Sequence, residues 1–178
     1  MPVSSLIIRP NSIRPVLEKL ANSQEILEGE QSNIRLVLRL YHALSVRDVD
    51  TVHRLLLPDI EYWFHGPPCH QQHMINLLTG SNTNQSFAFE PTSRITSFGS
   101  TVLAEGCDHS GSVSWVHAWT VSNGVIIQIR EYFNTSLTVA RFEDCNQQSS
   151  SSSSSSSSSV HWQSKLSGES VPGLVLAI

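Results

Sequence analysis

The chain has 178 residues, 11 basic and 15 acidic side chains and a formal net charge of −4, a length that fits one domain with extensions. There is no general basic field to hold a polyanion, so nucleic-acid binding is not expected. Cys69, Cys107 and Cys145 lie far apart, which fits neither a disulfide framework nor a zinc ribbon, and reduced thiols of an intracellular protein are the simplest reading.

No apolar run approaches the roughly 20 residues a membrane helix needs, so no membrane association is expected. The N-terminus lacks a long apolar stretch before a small-residue cleavage site, which argues against secretion and for a cytoplasmic protein, with the nucleus as an alternative. It is acid-free up to Glu18 and carries Arg9, Arg14 and several serines, an echo of an organelle transit peptide. The plainer reading is a flexible arm over residues 1–31 with one short helix around 15–28.

The domain proper is expected over residues 32–145. Ser32 or Asn33 caps a first helix that uses Ile34, Val37, Leu38, Tyr41 and Leu44. A second, shorter helix starts near Asp48 or Asp50, uses Val49, Val52, Leu55 and Leu56, and stops at Pro58. Residues 59–65, rich in aromatics, suit a strand. Alternation puts Trp63 and His65 on one face and Ile60, Tyr62 and Phe64 on the other; the all-apolar set favours the second as core, without settling it. Gly66, Pro67 and Pro68 break the strand. Residues 69–79 form a third helix with Met74, Leu77 and Leu78 inward and Gly80 as its stop.

From 86 to 134 the pattern is strand throughout: "SFAFEP", "RITSFG", "STVLAEGC" and the hairpin "SVSWVHAWTVSNGVIIQIREYFN". Helices followed by a meander of strands give an α+β layout with helices on one face of the sheet. The serine run, Ser149–Ser159, makes 146–159 a flexible linker. The apolar tail, residues 160–178, is expected to dock on the domain.

The hairpin has two open registers. A two-residue Asn123-Gly124 turn pairs Ser122 with Val125 and mixes apolar with charged residues on each face. A three-residue bulged loop pairs Val121 with Val125 and puts Trp115, His117 and Trp119 on one face with Ile127, Ile129, Glu131 and Phe133. The second separates apolar from polar better. It places Glu131 across from Trp115 and diagonal to His117. A carboxylate and an imidazole embedded in an aromatic cup suit general acid–base work.

The blocks "FHGPP", "ITSFGSTVLAEG" and "REYFNTSLTV" resemble the plant wound-induced protein 1 family, which is similar in turn to the nuclear-transport-factor-2-like fold of ketosteroid isomerases, polyketide cyclases and limonene-epoxide hydrolases. The likeness runs from about residue 33 to 142 and returns at "SVPGLVLAI". It implies a cone-shaped, curved antiparallel or mixed sheet wrapped around three helices, and a homodimer through the outer sheet face. It also implies wound or stress induction. Hydrolase members carry an acid where Glu131 stands, and an arginine and an aspartate two apart on a neighbouring strand. The best match to that pair here is Gly106 and Asp108, so the arginine is absent.

His65, Cys69, His70 and His73 also invite a metal reading. Two glutamines intervene and no carboxylate stands nearby in sequence, so no metal and no other cofactor is expected. His65 remains a candidate at the rim. Three functions stand open. The first is binding of a small apolar or aromatic molecule by Trp115, Trp119, Ile127, Ile129 and Phe133, with Tyr62 and His65 at the rim and His117 and Glu131 fixing orientation. The second is acid–base catalysis of isomerisation, dehydration or hydrolysis by Glu131 and His117. The third is a non-catalytic dimeric signalling or scaffold protein whose cup its own side chains fill.

Overall fold

The computed structural model describes residues 14–81, 87–92, 95–108, 110–141 and 159–178. Helix α1 runs Arg14–Ser45 without a break. The short helix and the cap at Ser32 or Asn33 expected from sequence are therefore one element. Residues 16–31 are mostly strong helix formers, with Asn22, Ser23 and Gly29 among the weak ones, and Pro15 sits in the first turn, where it lacks no needed hydrogen bond. Only the second half of α1 packs, through Val37, Leu40, Tyr41, Ala43 and Leu44. Leu20, Ile26, Leu27 and Leu38 are exposed. Midway, Asn33 Nδ2 donates to Gly99 O and Glu30 Oε1 accepts from Gly99 N, which ties the helix to the turn at Gly99.

Helix α2, Val49–Leu55, is capped by Asp48, whose carboxylate accepts from Thr51 N and Thr51 Oγ1. It ends at Leu55, before the expected Pro58. Pro58 falls inside strand β1, Leu56–His65, which lies at a sheet edge where a missing N–H is tolerated. A 3₁₀ turn, Pro68–His70, leads into α3, Gln72–Leu78, which buries Met74 and ends before a left-handed Gly80.

Strands β2 (Thr96–Phe98), β3 (Thr101–Cys107), β4 (Ser114–Ser122) and β5 (Val125–Phe133) complete a curved mixed sheet in the order β1-β5-β4-β3-β2, with β1 parallel to β5. The "SFAFEP" piece is not a strand. It makes one bridge, Pro91 to Gly106, and inserts Phe87 and Phe89 among the aromatics of the inner face. Strand β6, Ser136–Arg141, lies beyond the last strand expected. With β7 (Ser159–Gln163) and β8 (Gly173–Ala177) it forms a second sheet, ordered β7-β6-β8. Ser149 to Ser158 lie outside the described residues.

The helices cover one face of the five-stranded sheet. On the other face, Leu103, Val116, Ala118 and Tyr132 pack against Leu137, Val139 and Leu176 of the second sheet. The chain's own tail thus covers the centre of the face through which the resemblance implies a dimer. Trp63, at the β1 edge of that face, is 59% exposed. Among the described residues no helix is long and apolar enough to cross a membrane.

The hairpin follows neither expected register along its full length. Asn123 and Gly124 both have positive φ, 50° and 76°, and form a two-residue turn that pairs Ser122 with Val125. A bulge then leaves Ile127 extra, so Thr120 pairs with Gln128 and His117 with Glu131. The face assignment of Trp115, His117, Trp119, Ile129, Glu131 and Phe133 holds. The partner across from Glu131 is His117, not Trp115.

Candidate functional site

Alternation on β4 and β5 delivers His117 and Glu131 to the helix side of the sheet, and their pairing puts them side by side. Both are fully buried. His117 Nε2 lies 3.1 Å from Glu131 Oε1, and His117 Nδ1 lies 2.6 Å from Tyr41 Oη. Tyr41 comes from α1, where helical spacing aims it at the sheet. Trp119 Nε1 donates to Tyr41 Oη at 3.1 Å, and Tyr62 Oη, on β1, donates to Glu131 Oε2 at 2.6 Å.

The directions follow from chemistry. An indole only donates, and a carboxylate only accepts. Glu131 Oε1 accepts, so the hydrogen between it and His117 sits on Nε2, and in the neutral imidazole the bare Nδ1 takes the Tyr41 hydrogen. The second carboxylate oxygen takes the Tyr62 hydrogen. Tyr62 Oη is also 3.2 Å from Gln71 O, a longer contact that its single hydrogen serves less well. Every polar atom of the line Trp119–Tyr41–His117–Glu131–Tyr62 is satisfied, the condition under which a buried network is rigid rather than destabilising.

Burial holds the Tyr41 hydroxyl well above the usual tyrosine range, with the Glu131 charge adding to it and the Trp119 hydrogen bond opposing it. Tyr62 is raised as well, first by burial and then by its hydrogen bond to Glu131. Both phenols are held protonated and therefore able to donate.

The surroundings are aromatic. His117 stacks on Trp115 with centroids 4.5 Å apart and meets Phe89 at 4.7 Å. His70 stacks on Phe133 at 4.8 Å and His73 on Phe87 at 4.3 Å. The cup is thus filled by its own side chains: Trp115, Trp119, Ile129 and Phe133, expected to line an open pocket, are packed core. Ile127, expected beside them, is the bulged residue; Ile126 takes its place in the core. Tyr62 is half-buried and is the end of the line nearest solvent. His65 is exposed on the opposite face of the sheet, near Tyr132, so it does not reach the cup.

The histidine cluster divides accordingly. His70 Nδ1 and His73 Nε2 are 3.2 Å apart, while His65 is across the sheet and Cys69 is exposed. Burial, then the His73 imidazole, lowers the His70 pKa. Among the described residues no three His, Cys, Asp or Glu side chains converge as a metal site.

The hydrolase pattern meets a steric barrier at Gly106. A Cβ there would lie 2.3 Å from Trp115 Cζ2 and 2.5 Å from Glu90 O. The Trp115 indole occupies the space an arginine side chain would need. Asp108 is engaged in its own turn, accepting from Ser110 Oγ and Val113 N, bonds that also hold its carboxyl below the usual range. Neither residue supplies the missing pair. Sequence reasoning missed Tyr41, treated as apolar helix surface, and Phe87 and Phe89, treated as a strand.

Helices packed into a curved mixed sheet around a buried imidazole–carboxylate pair define an α+β protein with an internal polar relay. Residues 75–178 match the family described as "Wound-induced protein WI12". The chain is 51% identical over 111 residues to "Senescence associated gene 20" of Arabidopsis thaliana and 50% identical over 109 residues to "Wound-induced protein 1" of Solanum tuberosum, in each case spanning 58% of this chain and all of the relative. The chain belongs to this wound-induced, senescence-associated family. It is also similar to a crystal structure of an NTF2-like protein from Burkholderia xenovorans, at 24% identity and a TM-score of 0.44, over 58% of this chain and 90% of that one.

Proposed function

We propose that this protein binds a small, largely apolar molecule, and that the Tyr62–Glu131–His117–Tyr41 relay recognises a hydrogen-bonding group on it. The observation that carries this reading is the relay itself. A fully buried carboxylate and imidazole are joined end to end in an aromatic cup. An apolar substitute of the same volume is often as stable as a buried, hydrogen-bonded polar pair, so stability alone does not account for the groups present. Tyr41 and Tyr62, whose pKa values burial raises, are of the kind that cluster at functional sites. Tyr62, half-buried, is the contact point from outside. Phe87 and Phe89 lie on a segment that is neither helix nor strand; ligand entry displaces them from Phe133 and His117.

The test is a screen of apolar molecules bearing a hydroxyl or carbonyl, read by thermal shift and tryptophan fluorescence. A hit should lose affinity about tenfold in Tyr62→Phe, the size of one hydrogen bond to a charged group. A hit that binds Tyr62→Phe and Glu131→Gln as tightly as the unaltered protein would overturn the reading.

Acid–base catalysis is a second reading, favoured by the continuity of the relay, which links a phenol, a carboxylate and an imidazole through hydrogen bonds. It predicts that Glu131→Gln abolishes turnover of a bound substrate while leaving its binding. Hydrolysis in the epoxide-hydrolase manner is disfavoured by the closed space at Gly106.

A further inference from the structure

The geometry points to a ligand with a negative charge: an apolar monocarboxylate whose carboxylate is held by Arg47 at the mouth of a cleft behind Phe89. This deepens the binding reading above and rests on it, by naming the chemistry at the other end of the ligand.

Two adjoining cavities, of about 280 and about 150 Å³, share Leu44, Arg47 and Leu77 as walls. The larger adds Val52, and the smaller adds Phe87 and Phe89. Beside these apolar residues the walls carry the uncharged polar Ser45, Asn76 and Ser81, Arg47 is their one charged residue, and the larger volume approaches the lower end of the range of small-molecule sites. The inner wall of the smaller cavity is the ring that meets His117 at 4.7 Å. Cleft and relay are therefore separated by one phenylalanine side chain.

Arg47 stands at an unusual backbone position. Asp48 N donates to Ala43 O and Arg47 N to Leu44 O, the paired bonds of a helix C-terminus that closes on a left-handed residue. Arg47 is that residue, with φ 56°. Glycine takes this conformation without strain, and any other residue there is disfavoured. The arginine is held where a glycine would be easier, and it is an exposed residue that lines both cavities.

Among the described residues no carboxylate pairs with the Arg47 guanidinium. The adjacent acid, Asp48, is committed to capping α2 through Thr51. A planar fork of donors at a cleft with an apolar wall suits a carboxylate, and the chain beyond the carboxylate then lies along Leu44 and Leu77 toward Phe89.

Octanoate and 1-octanol, titrated into the ¹⁵N-labelled full chain at neutral pH, test this. Octanoate should shift the amides of residues 44–52, Leu77 and Phe89. Arg47→Gln should weaken octanoate about fivefold, as for an exposed ion pair, and leave octanol unchanged; Arg47→Lys should restore part of the loss. Equal octanoate binding by the unaltered protein and Arg47→Gln, shifts confined to other regions, or no binding of octanoate would each overturn the inference. The relay reading is judged separately. Octanoate has no second polar group, so Tyr62→Phe should leave its affinity as it is, whatever that substitution does to a hit from the screen.

Discussion

On the outward face of β3–β5, Leu103, Val116, Ala118 and Tyr132 meet Leu137, Val139 and Leu176, and the contact is one of side-chain shape. On the inward face, one residue further along the same strands, His117 and Glu131 are buried just as completely and joined to Tyr41 and Tyr62. The outward face needs only apolar volume. The inward face needs particular atoms in particular places, because a buried polar atom that loses its partner is left without water to replace it. Five variants should separate the two faces.

The largest effect is expected inside. His117→Ala strands the Glu131 carboxylate and the Tyr41 hydroxyl in an apolar cup and should destabilise by about 3–5 kcal/mol, as for one half of a buried pair. Replacing both members, His117→Leu with Glu131→Met, removes the need for partners and should be markedly milder than the single change. Urea denaturation measures both; a double variant as unstable as the single would mean that the two groups are not coupled.

Outside, Leu137→Ala should cost about 3 kcal/mol by cavity formation, and no second change at a polar site should rescue it. Leu137 is fully buried within that contact. A thermal melt of the variant, alone and combined with the relay double, checks additivity across the sheet.

Gly106→Ala probes how tightly the cup is packed. Its new Cβ would meet Trp115 and the Glu90 carbonyl, and a loss of about 1–3 kcal/mol is expected from overpacking. An unchanged melting temperature would show that Trp115 yields, and would reopen the space that the hydrolase arginine needs.

The smallest effect is the pH dependence carried by the tyrosines, which is separate from the cost at every pH of stranding His117 Nδ1 and Trp119 Nε1 in Tyr41→Phe. Tyr41, Tyr62 and Tyr132 all have pKa values raised by burial. A raised folded-state pKa means the native state holds its proton longer than the unfolded chain. The stability this represents is fully present below the unfolded value of about 10 and is lost as pH rises above it. Absorbance at 295 nm should therefore show tyrosinate appearing together with alkaline unfolding. In Tyr41→Phe the loss of stability above pH 10 should be shallower. Titration of a tyrosine in the intact fold near pH 10 would contradict the burial of these groups.

Much of this was legible in the sequence. Alternation on the hairpin separates Trp115, His117, Trp119, Glu131 and Phe133 from their neighbours, and β1 offers Tyr62 and Phe64 as its apolar face. Residues written for one face stay on one face because the strand period is two. That same period hides the register. The expected bulge at the turn and the observed bulge at Ile127 shift the partner strand by two residues relative to each other, and a shift of two leaves both faces unchanged. Only the folded hairpin decides that Glu131 pairs with His117 rather than Trp115.

The amino-acid order by itself determines the α+β class, a helix start at Asp48 or Asp50, a turn at Asn123-Gly124 whose length it leaves open, and the face that carries the acid and the imidazole, since each is set by residues within a few positions of one another. The tertiary structure decides what long-range packing sets. Tyr41 joins the relay from 76 residues away, Phe87 and Phe89 close the cup instead of forming a strand, and β8 reaches the sheet across a serine tract. A hydroxyl on a helix, two phenylalanines before a proline and an apolar tail each have several local fates. Which one is realised depends on the buried surface that the rest of the chain brings to them.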